Sequence, residues 1–368
     1  MAKRFTNGEK RKLDECIKEI EKLDENLLEL LGKRQEVTAV LVQAMPEMAS
    51  QIFDPGEEEK MLRRILEPNG KHLSPQAARA IFKEILSAAR SAHAPLTVAY
   101  LGPETSNSNQ AALTNFGQCA SYRPAGSIEE VFDLVENDEC RQGVVPIENA
   151  FEGSVNNTLD LLAEHTVKVT AEILLRVRYN LLTNAPDPGG IERLYSHPIA
   201  AAQCMAWIKN RLPGVPIEKV ASSAMAADEA GGDPKSAALG SRLAAKRYGL
   251  QIMEANIEDH PDNVTRFISI GKTIPRPTGE DKTSILFSTN HKPGALFDVL
   301  KILAKKNINM TRIESRPMKT RSWQYLFFVD IAGHAEEGTI SSALKKLESS
   351  CEFFKFLGSY PVGTSPWI

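Results

Sequence analysis

Between residues 10 and 45 the apolar side chains Leu13, Ile17, Ile20, Leu23, Leu27, Leu30, Leu31, Val37 and Leu41 recur at alternating steps of three and four. That spacing places them on one face of a single long helix. The first proline of the chain is Pro46, and the only internal glycine of the stretch is Gly32. A helix of this length spans roughly 50 Å, more than the width of a small domain, so it must pack in a bundle or against a second subunit. After Asp54-Pro55-Gly56, residues Glu57–Leu66 read as a second helix. Ser74 is placed to cap a third, Pro75–Ala92, with proline at its first position. The front of the chain is therefore all helical.

The pattern changes at Pro95. Leu96–Leu101 is a short apolar strand ending in Gly102-Pro103, and Gly143–Ile147 is another ending in Glu148-Asn149. Helical stretches Asn109–Phe116 and Ile128–Glu136 lie between them. The alternation continues through Ala171–Leu182, Ile191–His197, a helix Ala200–Lys209, Ala237–Gly240 and Arg266–Gly271. Strands alternating with helices predict an α/β domain whose site lies at the strand ends. Lys272–Asp281, with Pro275, Pro277 and Gly279, reads as a semi-rigid linker. Beyond it, Thr283–Ser288, Gly294–Lys305, Ile308–Ser315, Tyr325–Ile331, Thr339–Glu348 and Phe353–Tyr360 follow the ferredoxin-like βαββαβ order. Three domains are expected: 1–94, 95–271 and 272–368.

A net charge of −3 with 25% charged residues lacks the basic excess of a nucleic-acid surface. No apolar run is long enough to span a bilayer, and the first residues lack the apolar stretch of a signal peptide. The five cysteines show no CxxC spacing, as expected of free thiols in a reducing cytosol rather than disulfides or a metal site.

Three blocks of the middle region resemble the prephenate dehydratase family: Val98–Glu104 with Gln110-Ala111-Ala112; Gly143–Asn149 running on to Gly153 and Thr158–Leu162; and Asn263-Val264-Thr265-Arg266-Phe267. Ser196-His197-Pro198 and Tyr248-Gly249-Leu250 add to them. Pro293–Phe297 and Ile313–Pro317 resemble the ACT domain that follows such dehydratases. Leu23-Asp24, Leu27-Leu28, Leu30-Leu31 and Arg34 resemble the all-helical chorismate mutases. The order is that of the bifunctional mutase–dehydratases of phenylalanine synthesis. The resemblance implies a multidomain fold: a helical mutase-like domain, a two-lobed dehydratase domain like the periplasmic binding proteins, and a regulatory ACT domain.

What the resemblance implies for chemistry is conversion of prephenate to phenylpyruvate, without cofactor or metal, under inhibition by phenylalanine, in a cytoplasmic homodimer or homotetramer. Thr265 is the expected acid, acting as a positioned donor concerted with C–O cleavage. Ser106, Ser108, Asn149, Arg266 and Phe267 are the expected substrate contacts. Gly294, Ala295, Leu296, Glu314 and Ser315 are the expected effector contacts. Arg34, Asp54 and Glu58 match the mutase site, but Ile17 and Met45 stand where that family has cations, and His93 where it has a glutamine. Weak or absent mutase turnover follows, with Lys33 and His93 as partial substitutes and the helices as a dimerising scaffold. Thr105, Asn107 and Ala150 depart from the family's Gly, Phe and hydroxyl residues, and His197 reads as a packed loop histidine. These departures leave two rivals: a silent metabolite sensor, or a dehydratase of a related acid such as arogenate.

Overall fold

The computed structural model describes residues 7–44, 54–66, 73–318 and 325–363. Helix α1 (Asn7–Ala44) is a single rod of 38 residues. Helices α2 (Pro55–Leu66) and α3 (Pro75–His93) follow it. Ser74 caps α3 by accepting from the Ala77 amide at 3.1 Å, and Pro75 occupies the first turn where no donor is needed. The apolar face of α1 stays open: Leu23, Leu27 and Leu30 are each more than half exposed.

The middle region forms two lobes. The first is built on β1 (Thr97–Leu101), β2 (Ser121–Ala125), β3 (Gln142–Asn149), β5 (Lys168–Arg176) and β11 (Val264–Gly271), in the order β2-β1-β3-β11-β5, with β4 (Gly153–Ser154) paired to β3. Helices α4 (Asn107–Phe116), α5 (Ile128–Glu136) and α6 (Asn156–Glu164) belong to this lobe. The second lobe carries β6 (Asn180–Thr183), β7 (Arg193–Ser196), β8 (Ile217–Lys219), β9 (Ser236–Gly240) and β10 (Gln251–Ala255), ordered β10-β6-β9-β7-β8. Its helices are α7 (Pro198–Gln203), α8 (Met205–Arg211), α9 (Ser223–Gly231) and α10 (Arg242–Tyr248). The chain passes between the lobes twice, and the two crossings are joined where the Val177 amide donates to the Asn263 carbonyl at 2.8 Å. The apolar stretch Ala171–Leu182 is thus not one strand but parts of two, in different sheets. The helix expected over Ala200–Lys209 is also two, because the Asp259 carboxylate accepts from the Ala206 and Trp207 amides and starts α8 afresh.

The C-terminal unit has the expected βαββαβ order: β12 (Asp281–Ser288), α11 (Ala295–Lys305), β13 (Met310–Pro317), β14 (Tyr325–Ala332), α12 (Gly338–Ser350) and β15 (Phe353–Pro361), with sheet order β13-β14-β12-β15. One face of this sheet packs under α11 and α12 through Ile285, Phe287, Val329 and Ile331. The other face, with Leu286, Phe328, Leu357 and Tyr360, shares a core with Val145, Val169 and Ile268 of the first lobe. The two sheets approach so closely that a Cβ on Gly358 would lie 2.3 Å from the Val169 carbonyl oxygen, leaving glycine as the fitting residue. The linker is anchored, not free: the Arg276 amide donates to Asp54 Oδ1 at 3.1 Å, and the Pro275 carbonyl lies 3.0 Å from His334 Nε2.

Candidate active and effector sites

Thr265 and Asn149 are register partners on the adjacent central strands β11 and β3. Asn149 Nδ2 donates to Thr265 Oγ1 at 2.8 Å and to Asn263 Oδ1 at 2.9 Å. Its Oδ1 accepts from the amides of Phe151 and Glu152 at 2.9 and 3.1 Å. Those two backbone donors settle which end of the amide is oxygen, so the NH₂ faces Thr265. The Thr265 oxygen is therefore an acceptor, and its own proton is left for another partner. Asn263 extends the chain by donating to Gln203 Oε1 of the second lobe at 2.8 Å. Thr265 is 8% exposed and Asn263 1%, so the hydroxyl is held in a dry, hydrogen-bonded seat at the junction of the lobes.

A bulge lies directly beside this pair: Arg266 faces Glu148, but Phe267 faces Pro146. Pro146 has no amide to donate to a ladder, and a bulge is where an inner strand tolerates it. Neighbouring residues of a strand point to opposite faces. Arg266 accordingly turns away from Thr265 and meets Glu172 at 2.6 Å and Asp330 at 2.8 Å. Burial opposes its charge, yet Tyr360, Asp330 and Glu172 raise its pKa above the ordinary arginine value. The Arg266 charge is paired on the face opposite Thr265, with Glu172 and Asp330, as period-two alternation along β11 requires. Phe267 shares the Thr265 face but is 2% exposed, packed with Tyr100, Ala111 and Ala112 under α4. It packs the core directly beneath the site.

Ser106 has a structural role of its own. Its hydroxyl donates to the Leu101 carbonyl at 2.9 Å and accepts from the Asn109 amide at 3.2 Å, capping α4. Ser108 is buried in the first turn of the same helix. Thr105, just before the cap, has φ +71 and a buried Oγ1 without a partner. Across the cleft Ser241 of the second lobe donates to the Thr105 carbonyl at 3.4 Å, and Arg247 lies 3.4 Å from Glu104. His197 caps α7, its Nδ1 accepting from the Ile199 amide at 3.3 Å.

In the C-terminal unit Gly294, Ala295 and Leu296 line a cavity of ≈ 390 Å³ together with Asn290, Tyr325 and Phe327. Gly294 stands at φ +81 and opens α11. Ser315 is the register partner of Phe327 and so shares the cavity's side of the sheet. Glu314 does not: it points to the first lobe and accepts from Ser154 Oγ at 2.9 Å. The expected effector set therefore divides at Glu314.

Three family models match in chain order: Chorismate mutase type II over residues 16–94, Prephenate dehydratase over 98–275 and ACT domain over 283–349. A bifunctional chorismate mutase/prephenate dehydratase of Aquifex aeolicus is 41% identical over 353 residues, covering 95% of this chain and 98% of that protein. The chain belongs to this family. Among solved structures, a prephenate dehydratase from Arthrobacter aurescens, determined in complex with L-Phe, superposes with TM-score 0.65 at 32% identity, covering 74% of this chain and 94% of that one. GqqA, a quorum quenching acylase, superposes with TM-score 0.66 at 29% identity, covering 74% of this chain and 99% of that one.

At the mutase-like end of this family member the expected trio separates. Asp54 caps α2, its Oδ1 accepting from the amides of Gly56 and Glu57 at 2.9 and 3.1 Å as well as from Arg276. Asp54 thus ties the start of α2 to the linker. Arg34 and Glu58 do lie in one cluster, with Arg34 Nη1 and Glu58 Oε1 buried and unpartnered. Burial raises the Glu58 pKa against the pull of Arg90, which stands 3.5 Å away. The sequence pattern did not single out Arg90 or Lys83 on α3. Burial, then the neighbouring Arg79, lower Lys83 to about 8. Ile17 is 44% exposed on α1, and Met45 lies outside the described residues.

Proposed function

We propose that this chain converts prephenate to phenylpyruvate, carbon dioxide and water, with Thr265 as the proton donor. The ring hydroxyl leaves as water on receiving a proton, while the ring C–CO₂⁻ bond breaks and its electron pair completes the aromatic ring. Aromatisation drives the step, so what the protein must supply is a placed proton and a dry pocket. The observation that carries the reading is the direction of the Asn149–Thr265 hydrogen bond. It spends the threonine's lone pair on an amide and leaves O–H free to point at a leaving group. An acyl-transfer nucleophile at this position would need a base, and the amide that meets Thr265 Oγ1 takes no proton. The test is to incubate the purified protein with prephenate and watch for phenylpyruvate; a parent protein that leaves prephenate unchanged overturns the reading.

Phenylalanine is the proposed effector, seated at the cavity around Gly294–Leu296. The family relation and the aromatic lining from Tyr325 and Phe327 support it. On the helical segment we assign scaffolding before catalysis. The unpartnered apolar face of α1 suits a second copy of the same helix, which would bury Leu23, Leu27 and Leu30 in a homodimer. Light scattering checks this: Leu23→Glu with Leu27→Glu should halve the mass of a parental dimer, and an unchanged mass places the interface elsewhere. Domains at 1–94, 95–271 and 272–368 accord with these roles.

A further inference from the structure

Thr265 and Asn149 share a trait besides their hydrogen bond. Each is bonded in sequence to a charged residue on the opposite face of the same sheet, Arg266 after Thr265 and Glu148 before Asn149. Both of these side chains leave the first lobe and enter the C-terminal sheet. Arg266 Nη1 meets Asp330 of β14 at 2.8 Å, and Glu148 accepts from Arg312 Nε of β13 at 3.0 Å. Around them Arg266 Nη2 donates to Tyr360 Oη at 3.2 Å, and Lys282 holds Glu172 at 2.8 Å. The junction is nearly dry: the side chains of Glu172, Asp330, Arg266 and Arg312 are 1%, 8%, 11% and 11% exposed. The buried Arg266–Asp330 pair has fixed geometry, because sliding one partner strands a desolvated charge, whereas Glu148 of the second pair is 39% exposed and is held by Arg312 at the rim of the junction.

The same two strands reach the cavity. β14 carries Tyr325 and Phe327 at the cavity and, three residues after Phe327 and on the opposite face, Asp330 at the junction. β13 carries Ser315, opposite Phe327, and Arg312, opposite Asp330. Along β13 the residues Arg312, Glu314 and Arg316 alternate toward the first lobe, reaching Glu148, Ser154 and Asp160. Through Arg312 and Asp330, β13 and β14 thus contact the sequence neighbours of Thr265 and Asn149.

We infer that Arg266 and Glu148 are positioning residues: through Asp330 and Arg312 they tie the aim of the Thr265 hydroxyl and the Asn149 amide to the placement of the C-terminal sheet, so that filling the cavity withdraws the proton donor. The inference rests on the readings of Thr265 as donor and of the cavity as the phenylalanine site. It makes the sheet-to-sheet junction, rather than the Lys272–Asp281 linker, the carrier of inhibition. An effector acts here only through unequal affinity for the two placements of the sheet.

The test uses the full chain with Asp330→Asn, Arg312→Gln and the double variant, none of which touches the catalytic cleft. Calorimetry measures phenylalanine binding, kinetics measure kcat and KM with and without saturating phenylalanine, and hydrogen exchange follows residues 146–149 and 264–267. The double variant should still bind phenylalanine while retaining about half or more of its turnover at saturation, where the parent keeps about a tenth or less. The phenylalanine-dependent exchange change over those two segments should disappear, with KM little altered. A double variant that binds phenylalanine and is inhibited as fully as the parent, with the same exchange change, overturns the inference. Should Asp330→Asn fail to fold, Arg312→Gln carries the test alone, since its partner Glu148 is 39% exposed and keeps solvent as an alternative. A parent that binds phenylalanine but leaves prephenate untouched defeats the catalytic reading alone, and the exchange measurement still decides the coupling.

Discussion

Asn149 donates to Thr265, not the reverse, because both lone-pair directions of its own carbonyl oxygen are taken by the Phe151 and Glu152 amides. The consequence is a threonine that accepts from Asn149 and keeps its own proton to donate. Thr265→Ala should lower kcat for prephenate by about 10²-fold or more with the fold intact, the size of effect expected for loss of a positioned acid. Thr265→Ser, which keeps the hydroxyl but loses the methyl that restricts it, should retain part of the rate. Asn149→Ala removes the orienting donor and should lower kcat more than it raises KM. Steady-state kinetics with circular dichroism as the control decide it; a parental kcat in Thr265→Ala removes Thr265 from the mechanism.

Thr105 sits at φ +71, where a β-branched side chain is disfavoured, and its hydroxyl is buried without a partner. Glycine at this position relieves both penalties at once. Thr105→Gly should raise the stability of the first lobe by about 1 kcal/mol, partly offset by the added freedom of the unfolded chain. Urea unfolding reads this as a shift in midpoint with an unchanged slope. A lower midpoint in the glycine variant means the threonine methyl contributes packing that outweighs the strain.

How much of this was open to reading in the sequence depends on whether the deciding partner was local. Helix α5 was legible to the residue, since its apolar spacing and its cap at Ser127 lie within one short stretch. The break at Cys204 was not, because the carboxylate that starts α8 comes from Asp259 on a later crossing. The run Ala171–Leu182 hid a change of sheet because both strands are buried and period-two contrast vanishes in a strand covered on both faces. Thr265 and Asn149 were named from the sequence, yet their direct bond spans a separation of 116 residues. Arg266 was named as a carboxylate partner, and its pairing with Glu172 and Asp330 on the face opposite Thr265 was not legible because those partners lie on other strands. Arg90 and Lys83 escaped because α3 presents them as ordinary basic residues of an amphipathic helix, and only Glu58 across the bundle gives them a role.

The mutase-like end should be poor at rearranging chorismate. Reaction of a dianion there needs cations at its carboxylates and at the breaking ether oxygen. Arg34 is present, but Ile17 stands at an expected cation position, while Arg90 is occupied by Glu58 at 3.5 Å and by the Phe116 carbonyl at 3.2 Å. Chorismate turnover by the parent should therefore fall well below prephenate turnover, and Ile17→Arg together with Met45→Lys should raise it. Separate assays on the two substrates check this. Equal rates in the parent would mean that Lys83 or Arg90 already serves as the missing cation.

Gly294 offers the cleanest test of the effector cavity. At φ +81 it opens α11, and a Cβ there would meet no atom within 4 Å, so a larger residue is opposed by backbone conformation and not by space. Valine in the left-handed region costs about 1–2 kcal/mol, which the loop avoids by leaving that conformation. The first turn of α11, which lines the cavity through Ala295 and Leu296, would then shift, and the Ala295 amide would lose its bond to the Lys292 carbonyl. Gly294→Val should thus abolish phenylalanine binding by calorimetry and phenylalanine inhibition by kinetics, while the uninhibited kcat for prephenate stays at the parental value. Equal binding by variant and parent would move the effector to another surface. A variant that loses uninhibited turnover as well would show that the start of α11 supports the catalytic lobe directly, beyond any role in sensing.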